Sequence, residues 1–321
     1  MMHDKYVLRT DFCEDDHLRG AFNALSVEVF GLDFEPWYRR GLWTGHYQPF
    51  TLFDGDMAVS NVSANLIDLV LDGERIKAVQ FGTVMTRESH RNQGLARFLL
   101  QHAIDALRDR CDLFYLMGDK DAAGFYRKFG FQGVEESTFT LRLAAGSISG
   151  HDTTGMGRYL DPARDEDLQV ILDAAALREP VSQKAGLLGS GYLLGFYAMN
   201  GFESRFYWVR RTADGQLMPV KNSGVRFSEE DWLVVFHEED GVLYLHDLLM
   251  KQDLPLREIL SVLPYEEISS VSFGFTPDRL GMDACDGFLE VAPRVNEDTF
   301  FVLSNKGFAT PPFLYPPIGL A

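Results

Sequence analysis

A basic loop, Arg91-Asn92-Gln93-Gly94-Leu95-Ala96, lies directly between an apolar strand and a long amphipathic helix. The chemistry such a junction offers is anion binding. A helix start exposes about four unpaired N–H groups and roughly half a positive charge, and a loop that turns its own amides inward extends the donor set. Gly94 lacks the Cβ that would hold a phosphate off, Ala96 keeps the first turn small, and Arg91 adds a cation beside it. The spacing Arg-x-x-Gly-x-Ala makes sense as a pyrophosphate cradle, although a glycine near a helix start is also common in plain loops. Two other phosphate devices are excluded. No GxxxxGK(S/T) run is present, and "GSGYLLG" at 189–195 has the wrong spacing for a dinucleotide fingerprint and no expected strand before it.

The elements that must position this loop read in order along the first half. Strand Tyr6–Thr10 is followed by a helix from about Glu14 to Phe30 and a short one near Glu35–Leu42. Strands at Tyr47–Phe53, Met57–Leu71 and Arg75–Thr86 are joined by Asp-Gly turns, the signature of an antiparallel meander. After the loop, Ala96, Leu99, Leu100, Ala103, Ile104 and Leu107 keep three- and four-residue spacing and so line one helix face. Then come an apolar strand "DLFYLMGD", a short helix "AAGFYRKFG" closed by Gly130, and a final hairpin in "FQGVEESTFTLRL". The fold class is α+β with a mixed sheet.

Bulk properties bound the rest. At 321 residues, with 46% hydrophobic and 24% charged positions, the chain has the composition of a soluble globular protein of two domains. The Gly/Ser/Thr-rich stretch Ala144–Gly157 marks the boundary, giving domains at 1–146 and 158–321. No signal-like segment and no membrane-length apolar run is present, so a cytoplasmic protein with no membrane partner is expected. Three cysteines without CxxC spacing and eight histidines without ligand spacing indicate neither a disulfide framework nor a metal site. Net charge is −17: residues 1–150 carry 16 Lys+Arg against 21 Asp+Glu, and residues 151–321 carry 14 against 26. That argues against nucleic acid, which needs a basic face, and suits cationic partners such as amines.

Strand "VQFGTVMT", the Arg91–Ala96 loop, the helix, strand "LFYLMG" and "GFYRKFGF" follow one another over about fifty residues. In that order the sequence resembles the GCN5-related N-acetyltransferase (GNAT) superfamily over roughly residues 5–142. The most specific pieces are Arg91-Asn92-Gln93-Gly94-Leu95-Ala96, which matches the family's Arg/Gln-x-x-Gly-x-Gly/Ala acyl-CoA loop, and Phe125-Tyr126-Arg127-Lys128-Phe129-Gly130-Phe131. The resemblance implies an acetyl-CoA site in which the amides of Asn92 to Ala96 hold the pyrophosphate. Val84, Met85 and Thr86 would pair with the pantetheine arm like an added strand. It implies Tyr126 as the catalytic residue, beside the CoA sulfur. Many members carry Asn seven residues before that tyrosine; Asp119 stands here, able to accept from cofactor groups but without the amide donor. The acceptor implied is a small-molecule or peptide amine. The alternative is a non-catalytic acyl-CoA sensor or binding module. Glu28, His46, Asp68, Glu74 and Glu88 are all open as general bases by topology, and none is singled out.

Residues 158–321 repeat a similar order in outline, with strands "RFYWVRR", "WLVVFHEE" and "VLYLHDLLM", helices at Arg164–Leu177 and Gln183–Tyr197, and the proline-rich end "ATPPFLYPPIGLA" as an extended tail. The half resembles a second, degenerate GNAT-like domain, as in tandem proteins of the mycothiol synthase and enhanced intracellular survival types. Its loop, Lys251-Gln252-Asp253-Leu254-Pro255-Leu256, has no glycine, places a carboxylate where a phosphate would lie, and loses an N–H at Pro255. A second CoA site is therefore not expected. This half would wall the acceptor cleft, and isolated residues 1–146 would bind acetyl-CoA but acetylate poorly.

Overall fold

The computed structural model describes residues 5–144, 157–200, 205–214, 216–220, 226–253, 255–265, 267–282, 285, 287–295, 298–305 and 307–319. The expected linker at 145–156 lies outside the described residues.

The first half begins with β1 (Val7–Arg9), α1 (Asp16–Phe30) and α2 (Glu35–Arg39). Asp15 starts α1 by accepting from the amides of His17 and Leu18, and Gly31, at φ 71°, ends it in the left-handed conformation. Then β2 (Tyr47–Asp54), β3 (Met57–Leu71) and β4 (Glu74–Thr86) form the expected meander. The turn between β3 and β4 is Asp72-Gly73, with φ 47° and 82°. Two left-handed residues in a two-residue hairpin match the right-handed strand twist. Helix α3 (Leu95–Leu107) buries Leu95, Leu99, Leu100, Ala103, Ile104 and Leu107 on one face of this sheet, while α1 and α2 cover the other.

After β5 (Leu113–Asp119), α4 (Ala123–Tyr126), β6 (Gln132–Val134) and β7 (Ser137–Leu143), the chain continues with β8 (Gly157–Leu160), α5 (Asp165–Leu177), β9 (Ala185–Leu188) and α6 (Gly191–Met199). It goes on through β10 (Arg205–Arg211), β11 (Leu217–Met218), β12 (Trp232–Glu239) and β13 (Val242–Leu249). It closes with α7 (Leu256–Val262), β14 (Ser270–Phe273), β15 (Gly287–Pro293) and β16 (Asp298–Leu303). The helical stretch expected at 183–197 is a strand and a helix, because Gly189 and Ser190, both at φ 62°, break it. That strand, β9, also precedes the "GSGYLLG" run, where none was expected.

The two sheets do not divide at the expected boundary; they exchange strands. The first runs β1-β2-β3-β4-β5-β16-β6, with β9 against the far end of β3. The second runs β11-β10-β12-β13-β14-β7-β15, with β8 against β10. The hairpin expected at 131–143 therefore does not form: β6 pairs with β16, and β7 crosses to lie between β14 and β15. In return β16 lies between β5 and β6, with Phe300, Phe301 and Val302 buried in the first half's cores. The proline-rich tail follows it inward, and Tyr115 and Tyr315, 200 positions apart, bring their hydroxyls to 2.6 Å. In the second half a buried ion pair, Arg178 to Asp247 at 2.6 and 2.7 Å, ties the end of α5 to β13. No helix among the described residues is long and apolar enough to cross a membrane.

Candidate functional site

Strand β4 delivers the chain to the loop at Thr86, and Arg91 Nε donates back to the Thr86 carbonyl at 3.3 Å. Asn92 (φ 61°) and Gly94 (φ 78°) are both left-handed, which curls the backbone twice within three residues. Tyr6 on the approach to β1 fixes the loop by donating from its hydroxyl to Gln93 Oε1 at 2.9 Å. Among the described residues none accepts a hydrogen bond from the amides of Asn92 through Arg97. A Cβ added at Gly94 would meet nothing within 4 Å. The loop and the first turn of α3 thus present a row of free donors to open space, the arrangement an anion needs.

Beside the loop, β4 and β5 part. They pair in parallel only over Ala78–Gln80 and Leu113–Tyr115, so Val84, Met85 and Thr86 face β5 with no ladder between them. Their other edge is held by β3, with Asn61 opposite Met85 and Ser60 opposite Thr86. Tyr126 packs on the β5 side. It is 6% exposed and packs on Gly118, where a Cβ would come within 2.8 Å of its ring, and on Phe131 and Phe301. Its hydroxyl makes no hydrogen bond among the described residues. Burial pushes the phenol up to about 12, so it holds its proton at neutral pH.

On the opposite face the bulge between Asn61 and Ser63 forces Thr83 to φ 42°. A buried polar cluster holds it there. Thr83 Oγ1 donates to Ser63 Oγ at 2.7 Å, Asn61 Nδ2 donates to the Thr83 carbonyl at 3.0 Å, and the Tyr47 hydroxyl lies 2.8 Å from Ser63 Oγ. Below it is a narrow pocket of about 20 Å³, lined by Phe34, Trp37, Tyr47, Asn65, Thr83 and Phe196. Sequence reasoning missed Thr83, Asn65 and Phe301. Thr83 sits at a bulge that alternation does not reveal, Asn65 shows its role only through the strands that flank it, and Phe301 arrives from the far end of the chain.

Of the expected residues, Val84 to Thr86 end β4 where it has no β5 partner, Arg91 to Ala96 form the loop into α3, and Tyr126 packs on the β5 side against Gly118. Asp119 is engaged locally: its carboxylate caps the turn after β5 by accepting from the Asp121 amide at 2.7 Å. None of the five open bases lines the aromatic pocket. Glu28 pairs with Arg87. His46 and Asp68 line a wider cavity of about 860 Å³ with Lys77 and Arg110. That cavity lies at the start of β4, roughly 30 Å along the strand from the loop at 3.3 Å per residue, and stands apart from it. In the second half, the Leu256 amide donates to the Gly281 carbonyl at 3.0 Å and Asp253 pairs with Arg279, while Leu254 lies outside the described residues.

Residues 14–134 match the family model described as the Acetyltransferase (GNAT) domain. Over these residues the chain is similar to a GNAT domain. The GNAT fold extends over most of the chain. A GCN5-related N-acetyltransferase from Kribbella flavida superposes with a TM-score of 0.53 at 14% identity, covering 94% of this chain and 71% of that one. Eis1 from Mycobacterium abscessus gives 0.54 at 17% identity, covering 92% and 72%. A conserved protein of unknown function from Enterococcus faecalis gives 0.59 at 12%, again covering 92% and 72%. At these identities the likeness is one of fold. No curated protein matches the chain.

Proposed function

We propose that the protein is an N-acetyltransferase that moves the acetyl group of acetyl-CoA to an amine by direct attack. One observation carries this: the amides of Asn92 to Arg97 have no acceptor among the described residues, and they follow directly on a β4 whose end has no β5 partner. The pyrophosphate lies on the amides, and the pantetheine arm runs along Val84–Thr86, whose β5-facing edge has no strand partner. The thioester oxygen takes the amide near Met85, which stabilises charge that develops there. The amine lone pair attacks the thioester carbon, the C–S bond breaks, the nitrogen loses a proton, and the CoA sulfur gains one. The products are the N-acetylated amine and CoA.

Tyr126 donates to the departing sulfur. A phenol near 12 against an ordinary thiol near ~8.5 is a poorly matched donor. Desolvation where the two meet raises the thiol as well, which narrows the gap. The loop of the second half, with Leu256 N–H committed and Asp253 in the anion's place, supports a single CoA site per chain. Helix α6, which contributes Phe196 to the aromatic pocket, supports residues 158–321 as the acceptor-side wall.

Gly94→Asp tests the cradle. It keeps a residue that tolerates φ 78° but adds a carboxylate where the pyrophosphate lies, and a loss of a few kcal/mol in acetyl-CoA affinity is expected, about 10²-fold. Calorimetry on the folded variant reads it, and unchanged affinity would remove the cradle. The same titration on the unaltered chain is expected to saturate at one equivalent. Two would restore a site to Lys251–Leu256.

A further inference from the structure

One residue lining the aromatic pocket, Asn65, carries a buried polar atom with nothing to bond. Asn65 is 1% exposed, sits opposite Gln80 on β4, and donates from Nδ2 to Gln80 Oε1 at 2.7 Å. The orientation of this pair is fixed, because Gln80 Nε2 donates in turn to the Phe81 carbonyl at 3.3 Å. Gln80 therefore presents its oxygen, and Asn65 must present its amide hydrogens. That leaves Asn65 Oδ1 buried with no partner among the described residues. An orphaned buried acceptor costs about 1–3 kcal/mol, so a chain that keeps an amide here does so against stability.

The surroundings limit what satisfies it. A buried water needs two to four polar partners, and the hydroxyl of Tyr47, another lining residue, is already engaged with Ser63. The space of about 20 Å³ admits one heavy atom bearing hydrogens, not a sugar ring or a guanidinium. Its walls are Phe34, Trp37, Tyr47 and Phe196, with Phe34 stacked on Phe196 at 5.0 Å and on Tyr47 at 5.6 Å, and no carboxylate among them. The upper wall is Gly82–Thr83, the two residues before Val84, where the thioester is read to lie.

We propose that Asn65 Oδ1 anchors the acceptor: it takes an N–H of an unbranched primary amine whose nitrogen enters the aromatic pocket. This rests on the acetyl-transfer reading above and adds the class of acceptor, a slender alkyl or arylalkyl monoamine. A polycation would find no counter-charge in the pocket, and a secondary amine would need room on both sides of the nitrogen.

The test uses benzylamine and n-hexylamine with the full chain and three proteins: unaltered, Asn65→Leu, and Asn65→Leu with Gln80→Leu. The unaltered protein is expected to acetylate both amines. Asn65→Leu is expected to lose about 10- to 100-fold in kcat/KM for the amine, mostly through KM, with acetyl-CoA affinity unchanged within about twofold. The single variant removes the Asn65 donor from Gln80 Oε1. The double variant removes both halves of the pair, and its melting temperature is expected to recover while its amine KM does not. Recovery of amine kcat/KM in the double variant would make Asn65 a core hydrogen bond and overturn the proposal. Acetyl-CoA binding with turnover of spermine or tobramycin but of neither monoamine would overturn it and leave acetyl transfer standing. Binding without turnover of any amine would also overturn it and favour a sensor. Failure to bind acetyl-CoA would remove both readings.

Discussion

Removal of residues 295–321 is expected to unfold the first half of the chain. Strand β16 lies inside the first sheet, hydrogen-bonded to β5 on one side and β6 on the other. Phe300 and Phe301 are 2% and 0% exposed, and deletion of a single buried Phe side chain costs about 3–5 kcal/mol. Two such losses reach the roughly 5–15 kcal/mol that holds an ordinary domain together, before Phe313 and Tyr315 are counted. Isolated residues 1–146 have the same defect, so the sequence-based expectation that they bind acetyl-CoA gives way to one of an unfolded fragment. Circular dichroism and a thermal melt read the result. A cooperative transition together with acetyl-CoA binding by residues 1–146 would show that β16 is dispensable.

For Tyr126→Phe the expectation is a fall in kcat of about 10²–10⁴-fold with acetyl-CoA affinity nearly intact, because only a hydroxyl with no bond among the described residues is removed. The ring keeps its packing on Gly118 and Phe301, so stability should hardly move. The pH profile adds a second mark. A phenol raised to about 12 stays protonated at every pH below that, so the unaltered enzyme's rate should rise as the amine loses its proton and show no descending limb up to about pH 10. Undiminished turnover in the variant would return Tyr126 to the core, and the protein would then fit an acyl-CoA sensor or a transferase with a different acid.

Much of the first half was legible. Alternation and Asp-Gly turns fixed the β2–β4 meander, three-four spacing fixed α3, and the loop residues have the left-handed angles that Asn92 and Gly94 tolerate. What alternation cannot state is a strand's partner. The run 131–143 looks like a hairpin because its two strands are adjacent in sequence, yet each finds its neighbours more than a hundred positions away. Ala185–Leu188 was expected to be helical for another reason: four apolar residues carry no period that separates strand from helix. In the site, sequence named the loop and strand residues proposed to bind the cofactor through their backbone and missed Asn65, whose proposed role depends on which strand faces it.

The reciprocal exchange of β7 and β16 also bears on how the protein is made. During synthesis the edge of β5 has no neighbour until β16 has been translated, and Tyr115 waits for a partner 200 positions downstream. At about 5–20 residues per second that interval is on the order of 10–40 s, during which an apolar strand edge and the wall behind Tyr126 stay open. The nascent first half therefore has the profile of a chaperone client, and its sheet is completed only once β16 has emerged.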